Sequence, residues 1–398
     1  VAPLVAGLVL VVLTAVRAPA QIDPAPRQLL HLGFDQSLKT DGPMGAYAFY
    51  YWNQPNVPTT NQFLRLAIAP VYVDGEWGFK GLLGEHTDLG LGFFGGMYAN
   101  SYNEVRGGNY YRDESFTGNS GGGSVSIYHL FNPACMIPLT GVLRGVVDYN
   151  NFNSTDDTAN NFVRPDNQPM VTMRTGLRFG GKEPVLGPRL AMELSGWYEM
   201  EYRPKSGGYG FSNDRELEST SHRIFGRAQI NFTSLDMKHY IVAGLQAGTV
   251  LNSDRLSAYR LGGMLPYTSE FPLIIPGYFY TELSAREYVL LGGLYSWRIA
   301  DSQWKLLSMA STAAVKYTYG MGQSGAFNSG VGVGYAWSSK NMRWKVANVF
   351  GYGINAERNN GHQGGYNVAV AFMYNFGSTT TASDKAFEEL QNAHTATH

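Results

Sequence analysis

The chain has 398 residues, enough for two or three soluble domains, yet only 15% are charged, where soluble domains carry roughly a quarter. With 48 glycines, 26 tyrosines, 21 phenylalanines and a mean hydropathy of −0.19, its apolar residues must be interleaved with small and polar ones rather than gathered into helices that span a bilayer. The net charge of −1 gives no electrostatic footprint for nucleic acid, and a single cysteine, Cys135, excludes an intramolecular disulfide.

The first segment reads as a targeting sequence. Val5–Val16 is apolar but too short to cross a bilayer as a helix, and Ala18-Pro19-Ala20 has the small-x-small form of a cleavage site. Residues 1–20 are therefore expected to be a signal peptide, 21–376 a β-barrel, and 377–398 a periplasmic tail without fixed structure. In that tail, SDKAFEEL is a short helix candidate starting at Ser383.

From there almost to the end the pattern has period two. In Leu190–Arg203 the even positions Leu190, Met192, Leu194, Tyr198, Met200 and Tyr202 are apolar, while Glu193, Glu199, Glu201 and Arg203 share the other face. Ser221–Phe232 sets Ile224, Ile230 and Phe232 against Arg223 and Arg227, and Val368, Val370, Phe372, Tyr374 and Phe376 line one face near the end. The pattern predicts strands at 28–38, 44–52, 63–73, 77–83, 87–99, 120–131, 138–150, 167–179, 189–203, 221–232, 239–250, 285–297, 304–318, 325–337, 342–355 and 365–376. That is about 16 strands, with 14 as the lower bound, and an even number returns both termini to the periplasm. Many of these strands are twice the usual soluble length, and their charges face away from the apolar side, as a wet lumen requires. Connections alternate short and long, the longest being Leu251–Ser284. The fold class is an all-β, transmembrane antiparallel barrel, and the location is the bacterial outer membrane.

The long segment between predicted strands 11 and 12 carries further information. Tyr259-Arg260-Leu261-Gly262-Gly263, then Ile275-Pro276-Gly277-Tyr278, Glu282-Leu283-Ser284-Ala285, Tyr288-Val289-Leu290 and Tyr295 resemble the sixth outer loop and twelfth strand of the bacterial surface antigen (BamA-like) superfamily. That superfamily of 16-stranded barrels includes an outer-membrane assembly factor, the translocators of two-partner secretion and the barrels of patatin-like fusions. The resemblance implies that the loop folds into the lumen and plugs or gates it, with Arg260, Leu261, Gly262, Gly263, Pro276, Gly277 and Tyr278 as its motif residues. It also implies that Tyr374 and Phe376 form an aromatic-ending sorting signal. Two departures follow. Pro276 replaces the family's tip arginine, and Met309–Ala313 stands where an acidic motif should receive it, with no aspartate. POTRA domains are not expected in the short stretch ahead of residue 28.

The charged face suggests a lumenal ladder of Arg174, Glu193, Glu199, Glu201, Arg223 and Arg227, in which Arg174 is expected to face Glu193. Two readings stand: a constriction that selects solutes, or an ion-pair lattice that stiffens the wall. No HExxH, GxSxG or CxxC occurs, and neighbouring Ser221 and His222 point to opposite faces, so no catalytic set, metal site or cofactor is expected. The glycines at Ser120–Gly123 read as a loose loop before a strand. The expected function is transport or assembly at the outer membrane without enzymatic activity. A passive diffusion porin and, less favoured, a barrel lipase or protease are the alternatives. Expected partners are outer-membrane lipids, the barrel assembly machinery during insertion and a separate periplasmic protein, with no nucleic acid.

Overall fold

The computed structural model describes residues 26–98, 100–181, 189–265, 269–323, 325–358 and 361–376; the expected signal peptide and tail lie outside them. One sheet contains 18 strands. Two of these, Tyr102–Arg106 and Tyr259–Leu261, are short loop strands that each pair with one wall strand, which leaves 16 wall strands. In chain order they begin with β1 (Arg27–Ser37), β2 (Gly45–Pro55), β3 (Gln62–Ala69), β4 (Tyr72–Phe79), β5 (Thr87–Gly96) and β6 (Asn109–Leu130). Next come β7 (Leu139–Ser154), β8 (Gln168–Gly180), β9 (Leu190–Tyr202), β10 (Thr220–Thr233) and β11 (His239–Leu251). The last five are β12 (Leu283–Arg298), β13 (Trp304–Tyr317), β14 (Phe327–Ser338), β15 (Trp344–Arg358) and β16 (His362–Asn375). Each pairs antiparallel with its sequence neighbour, and β1 pairs with β16 from Leu29↔Asn375 to Ser37↔Asn367. The sheet therefore closes and leaves no open edge at its seam, the condition for a sheet to sit in lipid.

The alternation in sequence becomes alternation between lipid and lumen. On β9, Leu194 is 59% exposed while Glu193 is 3% exposed. Outward aromatics collect near the short turns at 299–303 and 339–343: Tyr295, Trp297, Trp304, Tyr335 and Trp344 are exposed there, as an interfacial girdle requires. Tyr374 and Phe376, expected as a sorting signal, join this belt. Their rings pack edge to face at 4.7 Å, and the Phe376 N–H donates to the Gln28 carbonyl at 2.9 Å, so the last strand is tied to the first.

Three expectations change. The predicted strand 63–73 ran through Pro70, but β3 stops at Ala69 and the Ala69↔Tyr72 pair closes a tight turn. A proline has no N–H to give a central ladder. The predicted strand 120–131 is the lower part of β6, which runs for 22 residues from Asn109. Ser120–Gly123 is thus mid-strand, paired to β5 on one side and β7 on the other. The upper part of β6 forms a hairpin with Tyr102–Arg106 that folds over the mouth of the barrel. Its tip rests on β15: a Cβ on Gly108 (φ +70°) would lie 1.7 Å from the Glu357 carbonyl oxygen.

Candidate functional site in the barrel lumen

The loop between β11 and β12 enters the lumen and is held on two opposite walls. Asp254 starts it: one carboxylate oxygen accepts from the Leu256 and Ser257 N–H groups, and the other accepts from Arg203 at 2.7 Å. Tyr259–Leu261 then adds to β12 (Tyr259↔Ala285, Leu261↔Leu283), and Gly263 bridges to Ile275. Leu261, Ile275 and Tyr278 are fully buried in a cluster with Leu283, Ala285, Tyr288 and Leu290 of β12 and Ala313 and Val315 of β13. Of the expected motif residues, Pro276, Gly277 and Tyr278 are all buried at the inner turn. Gly277 takes φ +80° and lies so close to β15 that a Cβ there would sit 1.7 Å from the Gly353 nitrogen, a place only glycine fits.

The turn is held from β13 and β15. Ser311 of β13 donates a neutral hydrogen bond to the Ile274 carbonyl at 2.9 Å. Arg358, at the end of β15 and 3% exposed, donates to Glu282 of the loop at 2.7 Å and to the Gly277 carbonyl at 2.9 Å. Its guanidinium carbon lies 3.8 Å from the centre of the Phe279 ring. Burial pushes the Glu282 carboxyl above its ordinary value, while Arg358 and the Phe279 N–H at 2.6 Å act in the opposite direction. Beside this pair, Asn367 of β16 accepts from the Gly277 N–H at 2.8 Å and donates to the Tyr278 carbonyl and to Asp35 of β1. Asp35 in turn accepts from the Met264 N–H. Tyr278 is held by a hydrogen bond to Asn328.

The opposite wall is the charge ladder. All six expected residues face the lumen on β8, β9 and β10, but the pairing of Arg174 is corrected. The register sets Arg174 opposite Glu199 and Gly180 opposite Glu193, so Arg174 bridges Glu199 at 2.7 Å. Glu193 is gripped by Arg227 through both oxygens and by Arg178 at 3.4 Å. Arg223 reaches Glu199 at 2.6 Å and Glu201 at 3.5 Å.

Two loop residues that the sequence reading missed sit on this ladder. Glu270 accepts from Arg178 and lies 3.7 Å from Arg174, and Phe271 receives Arg227 over its ring at 4.5 Å. Burial raises the Glu270 carboxyl, but Arg178, Arg174 and Arg227 outweigh it and hold that group below its ordinary value. The ladder is therefore an anchor for the loop as well as a lattice in the wall. The available signal was that Glu270 is the one charged residue in the stretch between Arg260 and Glu282.

Above the loop, the mouth is covered. Tyr102, Phe116, Phe152, Phe162, Tyr209 and Leu217, drawn from the outer connections β5–β6, β7–β8 and β9–β10 and the adjoining parts of β6 and β7, form one buried cluster. Beside it Arg255 pairs with Glu104 at 2.7 Å, Arg106 with Glu114 at 2.6 Å, and Arg215 with Glu114. Burial lowers the Arg215 guanidinium to about 10, which still leaves it charged at neutral pH. Among the described residues no group of histidine, cysteine and carboxylate side chains could hold a metal.

No protein-family model and no curated protein matches the sequence. Solved structures do match. CdiB from Acinetobacter baumannii superposes with a TM-score of 0.57 at 10% identity, over 88% of this chain and 60% of that one. BamA from Haemophilus ducreyi lacking POTRA domains 1–3 gives 0.54 at 10% identity, over 88% of this chain and 70% of the other. CdiB from Escherichia coli gives 0.54 at 13% identity, over 87% and 63%. This chain thus spans about 60% of the length of the first CdiB. At such identities the likeness concerns the fold, and with the closed wall, the lipid-facing belt and the lumenal loop it leads to one conclusion: the chain folds as CdiB and BamA do, into a closed 16-stranded outer-membrane β-barrel.

Proposed function

We propose that this barrel acts in transport or assembly at the outer membrane, and that the segment 252–282 is its gate. One observation carries the reading: the loop crosses the lumen and is fixed at both ends of its path, by Glu270 and Phe271 on the β8–β10 ladder and by Glu282 and Gly277 on Arg358 and Asn367. The surface-antigen architecture supports the same role, since the superfamily includes assembly and secretion barrels, and with that role comes a separate periplasmic partner. The role is one of passage and not of catalysis. Planar-bilayer recording tests it: the wild-type chain should be closed or flicker, and deleting residues 263–280 should give large steady currents. Large, salt-proportional currents from the wild type would instead identify a passive porin. Co-purification from cross-linked membranes tests the partner, and turnover of phospholipid or peptide by the purified chain would contradict the non-catalytic reading.

A further inference from the structure

Beneath the mouth cover, between the loop and the upper ladder, lies a cavity of about 370 Å³. Its wall includes four arginines, Arg203, Arg223, Arg255 and Arg260. Three are neutralised: Arg203 by Glu201 and Asp254, Arg223 by Glu199 and Glu201, and Arg255 by Glu104. Arg260 differs. Its Nε donates to the Thr281 carbonyl at 3.0 Å, its Nη2 donates to the Asn103 carbonyl at 2.7 Å, and its guanidinium lies 5.0 Å over the Tyr102 ring. These contacts fix its direction without cancelling its charge, and its Nη1 is buried with no hydrogen-bond partner. Across the cavity wall Gln168 is 1% exposed; its Oε1 accepts from the Lys205 N–H, while its Nε2 is likewise buried and unpartnered. An unbalanced, half-buried cation with an enclosed Nη1 and a buried, unmade donor are both costly, and an anionic ligand would offset both.

We propose that this cavity binds a small hydroxylated carboxylate, of the class of a single sugar acid. Arg260 takes the carboxylate, as guanidinium groups do. Gln168, Asn100, Asn103 and Asn150 line the remainder with carboxamides, which both donate and accept, as hydroxyls require. Phe152 adds an apolar face. The two lining carboxylates, Glu199 and Glu201, do not repel the ligand, because each is already bridged by two arginines.

Calorimetry on the full chain in detergent tests the site without relying on conduction, so its failure and a failure of the gating reading are distinguishable. Sodium glucuronate should bind saturably, and glucose at least about tenfold more weakly, the usual scale for losing one charge-assisted contact. Arg260→Gln should lower glucuronate affinity about tenfold or more, whereas Arg260→Lys, which keeps the charge, should lose only about threefold. Gln168→Glu keeps the size of the side chain and adds a negative charge, so it too should weaken glucuronate about tenfold. Equal affinity for glucose and glucuronate, no saturable heat with glucuronate, or full affinity in Arg260→Gln would overturn the proposal. Inorganic phosphate binding as tightly as glucuronate would overturn the hydroxylated-carboxylate class.

Discussion

Exchanging Arg358 for methionine should release the loop. The side chain is buried and makes one ion pair, one hydrogen bond to the Gly277 carbonyl and one ring contact with Phe279. Removing one partner of a buried pair costs about 3–5 kcal/mol because the other charge is stranded. Here the stranded group is Glu282, whose carboxyl burial already pushes upward, so it can take up a proton and recover part of the loss. The cost of Arg358→Met is therefore expected near the lower figure, about 3 kcal/mol, or roughly a hundredfold rise in the loop-out population. The sign with pH follows. A buried acid with a raised value is tolerated while protonated, so in Arg358→Met the open fraction should grow as pH rises through the elevated Glu282 value. Open probability in planar bilayers reads the population. A double-mutant cycle with Glu282→Gln isolates the pair and should show coupling of about 1.5 kcal/mol or more. If Arg358→Met stays as closed as the wild type and the coupling is below about 0.5 kcal/mol, the loop is not held by this pair.

The other anchors give their own outcomes. Gly108→Val adds a side chain where even a Cβ would lie 1.7 Å from the Glu357 carbonyl oxygen; it should lift the mouth hairpin and increase proteolysis at 102–116 in intact cells, while the heat-modifiable mobility of the folded barrel is retained. Glu199→Gln leaves Arg174 and Arg223 less neutralised, so in a loop-deleted, conducting variant it should shift reversal potentials toward anion selectivity; an unchanged potential would show that the ladder does not face the ion path. Glu270 is held ionised by its arginines. Its contribution to docking is present above its ordinary value and is lost as pH falls through its lowered one, so wild-type flicker should increase on strong acidification and Glu270→Gln should flatten that response.

The sequence by itself determined the barrel. Glu193, Glu199 and Glu201 recur at even spacing opposite Leu194, Tyr198 and Tyr202, and side-chain direction in a strand alternates with sequence position, so the division between lipid and lumen needs no tertiary knowledge. The position of the loop was legible too, because strand count is a local property summed along the chain. What holds the loop was not. Arg358 and Glu282 are 76 positions apart, and Arg178 and Glu270 are 92 apart, and only closure of the sheet decides which wall a loop side chain meets. The same holds for Arg174, whose partner depends on the β8–β9 register, since Glu199 and Glu193 lie on the same face and differ only in height. The hairpin over the mouth escaped the reading because glycines at 121–123 look like a break in a strand, whereas in the sheet they are positions where β5 and β7 pack closely on either side. Periodicity fixes which way a residue points; the tertiary structure decides what it touches there, because those contacts are made across the lumen between residues that no local rule relates.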